Sequence, residues 1–543
     1  MPKDEKKRDL KGWLSRSCWV AILFVVTGSA VIRGRLASMP LERDEGEYAY
    51  IAQQMLKGVP PYISAYSMKL PGIYAVYAVF LALFGQTQTG IHVGLIFFNA
   101  ATIFVIFLMT RRLFGAIAGV MAGCAYAILS TTRDSLGLTA NSEHFVLLPV
   151  LLGIWIITSP LKRLRLLWVF IAALFFGLAF VIKQHGVMFG GFGVFCLLYK
   201  DLRQRPVKWK MLIGDQLVFI SATALPFAFI CFYFWRLELF DKFWFWTFIY
   251  AREYTATVPL DAGWYLFRTT IIPIMQSSFL IWLFALAGLL MVFIRRSARV
   301  HLAFIVGFLI FSFLAVCPGL YFRRHYFIFL FPAIAIAAGA GFDWFCKLFA
   351  WFGSGIRRGL LIAAAGLICI GVSLYQQRLY LFELTPVEVC RFFYDGNPFP
   401  ESLEVANYIK AYSSPDDTIA ILGSEPQICF YADRRSATGF IYVYPLMETH
   451  KYSKIMQKQM IDEIILAKPE WLVFVWIHSS WIARPESTQD IFQWSDEYIM
   501  TFYKVIGVAD MPPYEQTIYR WGKGAAGFEP ASIQWIKVFK RKD

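Results

Sequence analysis

About eleven apolar runs, most of them long enough to cross roughly 30 Å of hydrocarbon, recur through the first 380 residues of this chain. They lie near 17–33, 91–110, 116–131, 144–159, 166–182, 186–200, 212–235, 269–294, 302–317, 326–349 and 359–378. Of the 543 residues, 58% are hydrophobic and 16% charged, where soluble domains carry about a quarter charged. The sequence therefore predicts an α-helical polytopic membrane protein.

A formal charge of +15 is compatible with nucleic-acid binding until the positives are located. They cluster between apolar runs: Arg111-Arg112, then Lys162, Arg163 and Arg165, then Lys200 to Lys210, then Arg295, Arg296 and Arg299, then Lys347, Arg357 and Arg358. If the basic start (Lys3, Lys6, Lys7, Arg8, Lys11, Arg16) is cytoplasmic, alternate span ends are basic throughout, as cytoplasmic loops require. That pattern points to a multi-pass protein of the cytoplasmic membrane and away from nucleic acid. The basic start followed by an apolar stretch lacks a small-residue cleavage site before Arg33, so it reads as an uncleaved first span. Segment 70–84 is apolar but short, and counting it as a span would invert every later loop. It is predicted to be re-entrant or interfacial. Loops 34–90, 132–143, 183–185, 236–268 and 318–325, with the C-terminal part, then share the non-cytoplasmic side.

Four regions follow: a basic cytoplasmic segment 1–16, a membrane domain 17–380 with its first external loop at 34–90, a linker 381–400, and an extracytoplasmic α/β domain 401–543. In the last, helical patterns at 402–412 and 453–467 alternate with strand-like runs at 418–423, 471–477, 497–508 and 532–539. Seven cysteines lie in or beside apolar segments, and none of the nine forms a C-x-x-C pair. A Cys390–Cys429 disulfide has only the polar setting in its favour.

The first external loop holds the densest charge. Asp44 followed by Glu47 has the spacing of a helix capping box, with Glu45 between them. The helix it would start carries Tyr48, Ile51, Ala52, Met55 and Leu56 on one face and is closed by Gly58 and Pro60. Capping and catalysis are compatible, because a helix N-terminus favours the ionised carboxylate that a general base needs. Glu143 starts the next external segment, where a helix-start acid is the plain alternative to a catalytic one. Lys69, Lys183 with His185, and Arg323-Arg324-His325 followed by Tyr326 bring basic residues to external span ends, where the topology rule makes them scarce. Singly each suits snorkelling towards lipid phosphate; together they suit a phosphate ligand. Arg133 is a weaker member of the set. No Ser–His–Asp order, H-E-x-x-H or Walker motif occurs.

The stretches DEGEYAYIAQQMLKG, KLPGIYAVYAVFLALFG, RRLFG and TANSEHFVLLP resemble the bacterial polyprenyl-phosphate-sugar-dependent glycosyltransferases, relatives of protein O-mannosyltransferases and of the aminoarabinose transferase of lipid A. The likeness runs over roughly residues 10–380 and implies the C-type membrane glycosyltransferase fold (GT-C). It implies that Asp44, on the acid of the family's D-E motif, is the catalytic base. Lys69 falls on the family's K-P-P lysine, although this chain reads Lys-Leu-Pro. Glu143 falls near a second-loop acid. Lys183 and Arg324 with Tyr326 match positions near the lipid phosphate. The implied partners are a polyprenyl-phosphate sugar donor, a lipid, glycan or protein acceptor, and membrane lipid. No cofactor is named; a divalent metal, if used, would sit between Asp44 and Glu143. Against a transferase stand a transporter or flippase of lipid-linked sugars, which would place ionisable residues mid-span, and a non-catalytic membrane protein with an external domain.

Overall fold

The computed structural model of the protein describes residues 2–160, 163–296, 298–348, 356–513 and 515–542, with the side chains of 2–16 and 356–359 set aside. The basic start, Lys162, Arg357 and Arg358, used above for topology, lie outside the described side chains.

All eleven apolar runs are helical. Among the described residues six helices are long and apolar enough to cross a membrane alone: Ser17–Arg35, Gln88–Phe114, Arg165–Ile182, Trp209–Arg236, Arg299–Val316 and Arg324–Leu348. The run at 269–294, counted as one span, is broken. Helix Leu260–Gln276 meets Phe279–Ile294 at 100°, and Ser277-Ser278 make the corner. Shorter apolar helices such as Ala116–Leu129 and Ser142–Thr158 pack among the long ones. Phe279–Ile294 and Phe331–Leu348 touch backbone to backbone: a side chain at Gly288 would meet the Gly341 nitrogen at 2.8 Å. Small residues permit that approach in a membrane bundle, where helices gain little from apolar burial alone.

The polar helix ends collect in two places. At one end Arg112 donates to Ser159 Oγ at 2.7 Å and Lys200 to the carbonyls of Ile157 and Ser159 at 3.0 and 2.9 Å. Arg165 bridges Asp201 and Asp215 there. At the other end lie helix Arg43–Leu56, Lys69, Glu143, Lys183 and Arg323. Helix Gly72–Phe84 begins against Val181–Ile182 and ends one turn before Gln88, both at this second end. It therefore enters and leaves on one side, as its length predicts.

The C-terminal region is a six-stranded mixed sheet: β1 (Thr418–Leu422), β2 (Arg435–Ser436), β3 (Trp471–Trp476), β4 (Tyr503–Asp510), β5 (Ile518–Trp521) and β6 (Trp535–Arg541), in the order β2-β1-β3-β6-β4-β5. β1 runs parallel to β2 and β3; the remaining pairs are antiparallel. The strand expected over 497–508 begins only at Tyr503, because 490–502 carry a helical apolar stripe (Ile491, Tyr498) and form helix Asp490–Phe502. Residues 381–400 contain helix Pro386–Tyr394, opened by a Thr385–Glu388 capping box, whose Phe393 packs with Leu136, Leu138 and Phe399. Cys390 and Cys429 are free and buried.

Sheet and first loop are bound together. Tyr66 N–H donates to the Gly439 carbonyl at 2.7 Å, Ser436 N–H to Tyr50 Oη at 2.8 Å, and Lys57 pairs with Asp433 at 2.6 Å. Gly46 must be glycine here, since a Cβ would meet the Gln427 backbone nitrogen at 2.8 Å.

Candidate active site

Helix Arg43–Leu56 does start with a capping box, but two residues earlier than the spacing suggested. Glu42 is the N-cap, accepting from Glu45 N–H at 3.1 Å, and Glu45 returns the bond to Glu42 N–H at 3.1 Å. This frees Asp44 from capping. It occupies the first turn, where the helix dipole favours its charge, and lies 3.4 Å from Lys69 Nζ. Both side chains are 17% exposed. Burial works to raise the Asp44 carboxyl, but Lys69, His325 and Lys183 outweigh it, so it is held below the ordinary carboxylate value. Lys69 also donates to Tyr48 Oη at 3.0 Å and lies 5.1 Å from that ring's centre. Its ammonium is opposed by burial, yet Asp44, Tyr48 and Glu47 raise it well above the ordinary lysine value.

Asp44 and Lys69 stand on the wall of a cavity of about 700 Å³. Lys183, His185, Arg323, Arg324 and Tyr326 also line it, so the structure gathers the predicted basic residues from three separate loops, Lys69 included, together with Tyr326. Arg323 makes no ion pair among the described residues and is solvent-accessible, 5.1 Å from the Tyr321 ring. Lys183 is paired with Glu143 and sits 4.5 Å from the Tyr326 ring centre. His185 Nδ1 donates to the Ala315 carbonyl at 2.6 Å. Arg324 reaches the cavity, but its guanidinium is occupied by the carbonyls of Arg133, Asp134 (3.2 Å) and Phe393 (3.4 Å).

Three candidates lie behind the wall instead. Glu45 is fully buried as a strut, accepting from Ala140 N–H at 2.6 Å and contacting His92 at 3.0 Å. Arg133 rests 3.9 Å above the Phe392 ring. Glu143 is fully buried against Lys183, with His325 at 3.9 Å. The expected metal pair of Asp44 and Glu143 is thus two acids each already neutralised by a lysine, and among the described residues no three His, Cys, Asp or Glu gather as a metal cluster. Glu47 lines the cavity beside Asp44, and burial pushes its carboxyl up to about 7.

Sequence reasoning passed over Arg43. Its guanidinium donates to the Ser424 carbonyl (2.6 Å), Asn397 (3.2 Å), Tyr444 Oη (2.9 Å) and Glu425 (2.6 Å), tying the helix start to the sheet region. Tyr48, Tyr254, Tyr321, Tyr442, Tyr444 and Glu448 were missed as well. Tyr48 alone had a signal, one helical turn after Asp44; the others become neighbours only through tertiary packing.

Residues 68–232 match the family described as dolichyl-phosphate-mannose-protein mannosyltransferase. No curated protein matches the chain in sequence. Among solved structures, ArnT from Cupriavidus metallidurans bound to undecaprenyl phosphate superposes with a TM-score of 0.59 at 15% identity, over 94% of this chain and 99% of that one. The same protein in its apo state gives 0.52 at 13%, over 98% of each. The archaeal oligosaccharyltransferase AglB from Archaeoglobus fulgidus, in complex with an inhibitory peptide and a dolichol-phosphate, gives 0.48 at 12%, over 92% and 74%. The ArnT likeness establishes a shared fold along nearly the whole chain.

Proposed function

We propose, for a membrane glycosyltransferase of the GT-C fold whose residues 68–232 form a mannosyltransferase-family domain, that it moves one sugar from a polyprenyl-phosphate carrier to an acceptor hydroxyl or phosphate outside the cytoplasmic membrane. The observation that carries this reading is the Asp44–Lys69 pair on the wall of a 700 Å³ cavity also lined by Arg323, a cation with no ion pair among the described residues. The basic clusters at the far end of the bundle support a cytoplasmic assignment for that end, and so an external one for the cavity.

The acceptor oxygen attacks the anomeric carbon while the bond from that carbon to the phosphate oxygen breaks. The acceptor proton passes to Asp44, whose lowered proton affinity keeps it ionised at neutral pH. The departing polyprenyl phosphate gains a negative charge, which Lys69, Lys183 and Arg323 stabilise in a partly dry cleft where such stabilisation is strongest. Glu143 acts through Lys183 as a positioning residue. One base and direct attack give inversion, and a covalent glycosyl-enzyme intermediate would overturn that assignment.

Purified wild type and Asp44→Asn, compared by mass spectrometry over a panel of polyprenyl-phosphate sugars and cell-envelope lipids and proteins, test the reading. Transfer by wild type, reduced about a hundredfold or more in Asp44→Asn with donor binding retained, is the expected result. Equal transfer by both removes Asp44 as the base. Donor binding without transfer by either favours a carrier of lipid-linked sugars.

A further inference from the structure

The cavity that holds Asp44, Lys69 and Arg323 is also lined by loop 236–268 and the C-terminal region, whose groups differ in kind. Residues Phe245–Tyr250 form a π-helical turn, a geometry frequent at functional sites, and Tyr250 closes it. The Tyr250 hydroxyl donates to Glu448 Oε2 at 2.7 Å. Glu448 follows the short helix Tyr444–Met447 and is half-buried. No lysine or arginine pairs with it among the described residues, and its nearest basic atom, His450 Nε2, lies 4.0 Å away. Around it stand Tyr254 and Tyr321, stacked at 4.6 Å and 13°, and Tyr442 and Tyr444, edge to face at 4.6 Å and 88°. All six line the cavity.

This set contrasts with most acids near the site. Glu143, Glu425 and Asp44 each hold a lysine or arginine, Glu45 holds a histidine, Glu42 is spent as the helix N-cap, and Glu47, also on the cavity wall, bonds Ser67 and Tyr74 of the first loop. Glu448 is held in place by a phenol and forms no ion pair with lysine or arginine among the described residues; Arg484 and Arg323 act on it only from a distance, and it is open to the cavity. A carboxylate kept so is suited to accept hydrogen bonds from a ligand, and phenol rings present apolar faces on which the C–H face of a sugar ring packs.

Resting on the transferase reading, we infer that Glu448 and its tyrosines form a sugar subsite in which Glu448 selects a polyhydroxylated ring and rejects one bearing a carboxylate. Hydroxyl donors satisfy the carboxylate oxygen. A uronate places like charge against it in a cleft with little water, so discrimination arises from repulsion as well as attraction. Glu448 is a specificity-determining residue, since the bonds that break and form lie with Asp44 and the cations. The ring is either the donor's sugar or the terminal sugar of the acceptor; both offer the same hydroxyls.

The test uses full-length protein in detergent or nanodiscs: wild type, Glu448→Gln and Tyr250→Phe. In one arm the acceptor is fixed and the donors are polyprenyl-phosphate glucose, mannose and glucuronate. In the other the donor is fixed and the acceptors are glycolipids ending in a neutral hexose or a hexuronate. The expected result is a rise in KM for the neutral sugar with kcat nearly unchanged. With it comes a swing of about tenfold or more in the kcat/KM ratio of neutral over uronate substrate, in one arm only. The arm that moves identifies which sugar the subsite holds. Tyr250→Phe shifts the same ratio by less, because it loosens the carboxylate without removing it. Ratios unchanged in both arms, or an equal loss of kcat on every substrate, overturn the proposal. Wild type transferring nothing is a different failure, that of the transferase reading, and Asp44→Asn marks it independently.

Discussion

Both ends of the helix bundle bury carboxylates against cations, yet only one end holds a site. At the basic end Arg165 stands between Asp201 and Asp215, whose side chains are 2% and 0% exposed, and Lys200 is used up on carbonyls. That cluster carries two acids on one guanidinium and does not line the 700 Å³ cavity. At the other end Asp44 has Lys69 and Glu143 has Lys183, and Arg323, with no ion pair among the described residues, borders about 700 Å³ of space. Buried ion pairs alone are therefore no sign of function in this molecule. A surplus charge facing a cavity is, because it is left for a ligand of opposite sign.

The sharpest break of this comparison comes from the basic end. Arg165→Met leaves two buried acids without their cation and should cost about 3–5 kcal/mol of stability, read as a lower unfolding temperature, with turnover per folded molecule unchanged. If turnover per folded molecule falls instead, the two ends are coupled and the contrast fails. At the cavity end Arg323→Gln should raise KM for a polyprenyl-phosphate donor by about tenfold without changing thermal stability, the loss of one charge-assisted contact. Loss of stability there with unchanged KM would make Arg323 a strut like Arg165.

A smaller effect concerns pH. Burial raises the Asp44 carboxyl and Lys69 is the chief opposing influence, so Lys69→Met should raise the pKa of the base. A base works only when ionised; the acid limb of kcat/KM should accordingly move to higher pH, and an unmoved limb would detach Lys69 from Asp44. Smallest is Glu47. Its folded-state pKa of about 7 stands above the ordinary 4.5, so the native state binds the extra proton between those values. The stability it contributes is full below pH 4.5 and is lost as pH rises through 7. Unfolding temperatures of wild type against Glu47→Gln from pH 4.5 to 8 should diverge in that direction, with the variant flatter.

The helices were legible because membrane spans obey composition, and the short helix at 70–84 because counting it as a span would invert the basic loops after it. The broken pair at 277–278 was not, since both halves are apolar and only packing fixes the corner. The capping box was legible as a motif and misplaced by two residues: Glu42 and Asp44 both stand three residues before an acid, and local spacing cannot rank them. Glu45, Glu143 and Arg133 looked like Asp44, Lys69 and Arg323 in sequence, because charge at a loop says nothing about which side of the wall a side chain takes.

The sequence by itself determined that this chain is a helical membrane protein, which loops share a face, and that the first of them carries a charged helix start and a lysine. Those follow from periodicity, hydropathy and charge, which act locally along the chain. Only the tertiary structure decided that Asp44 is free of capping, that Arg43 fastens the loop to the sheet, that Arg323 forms no ion pair among the described residues, and that tyrosines from 250 to 444 face the same cavity. Those depend on contacts between segments hundreds of residues apart, where burial decides which charges find partners and which remain for a ligand.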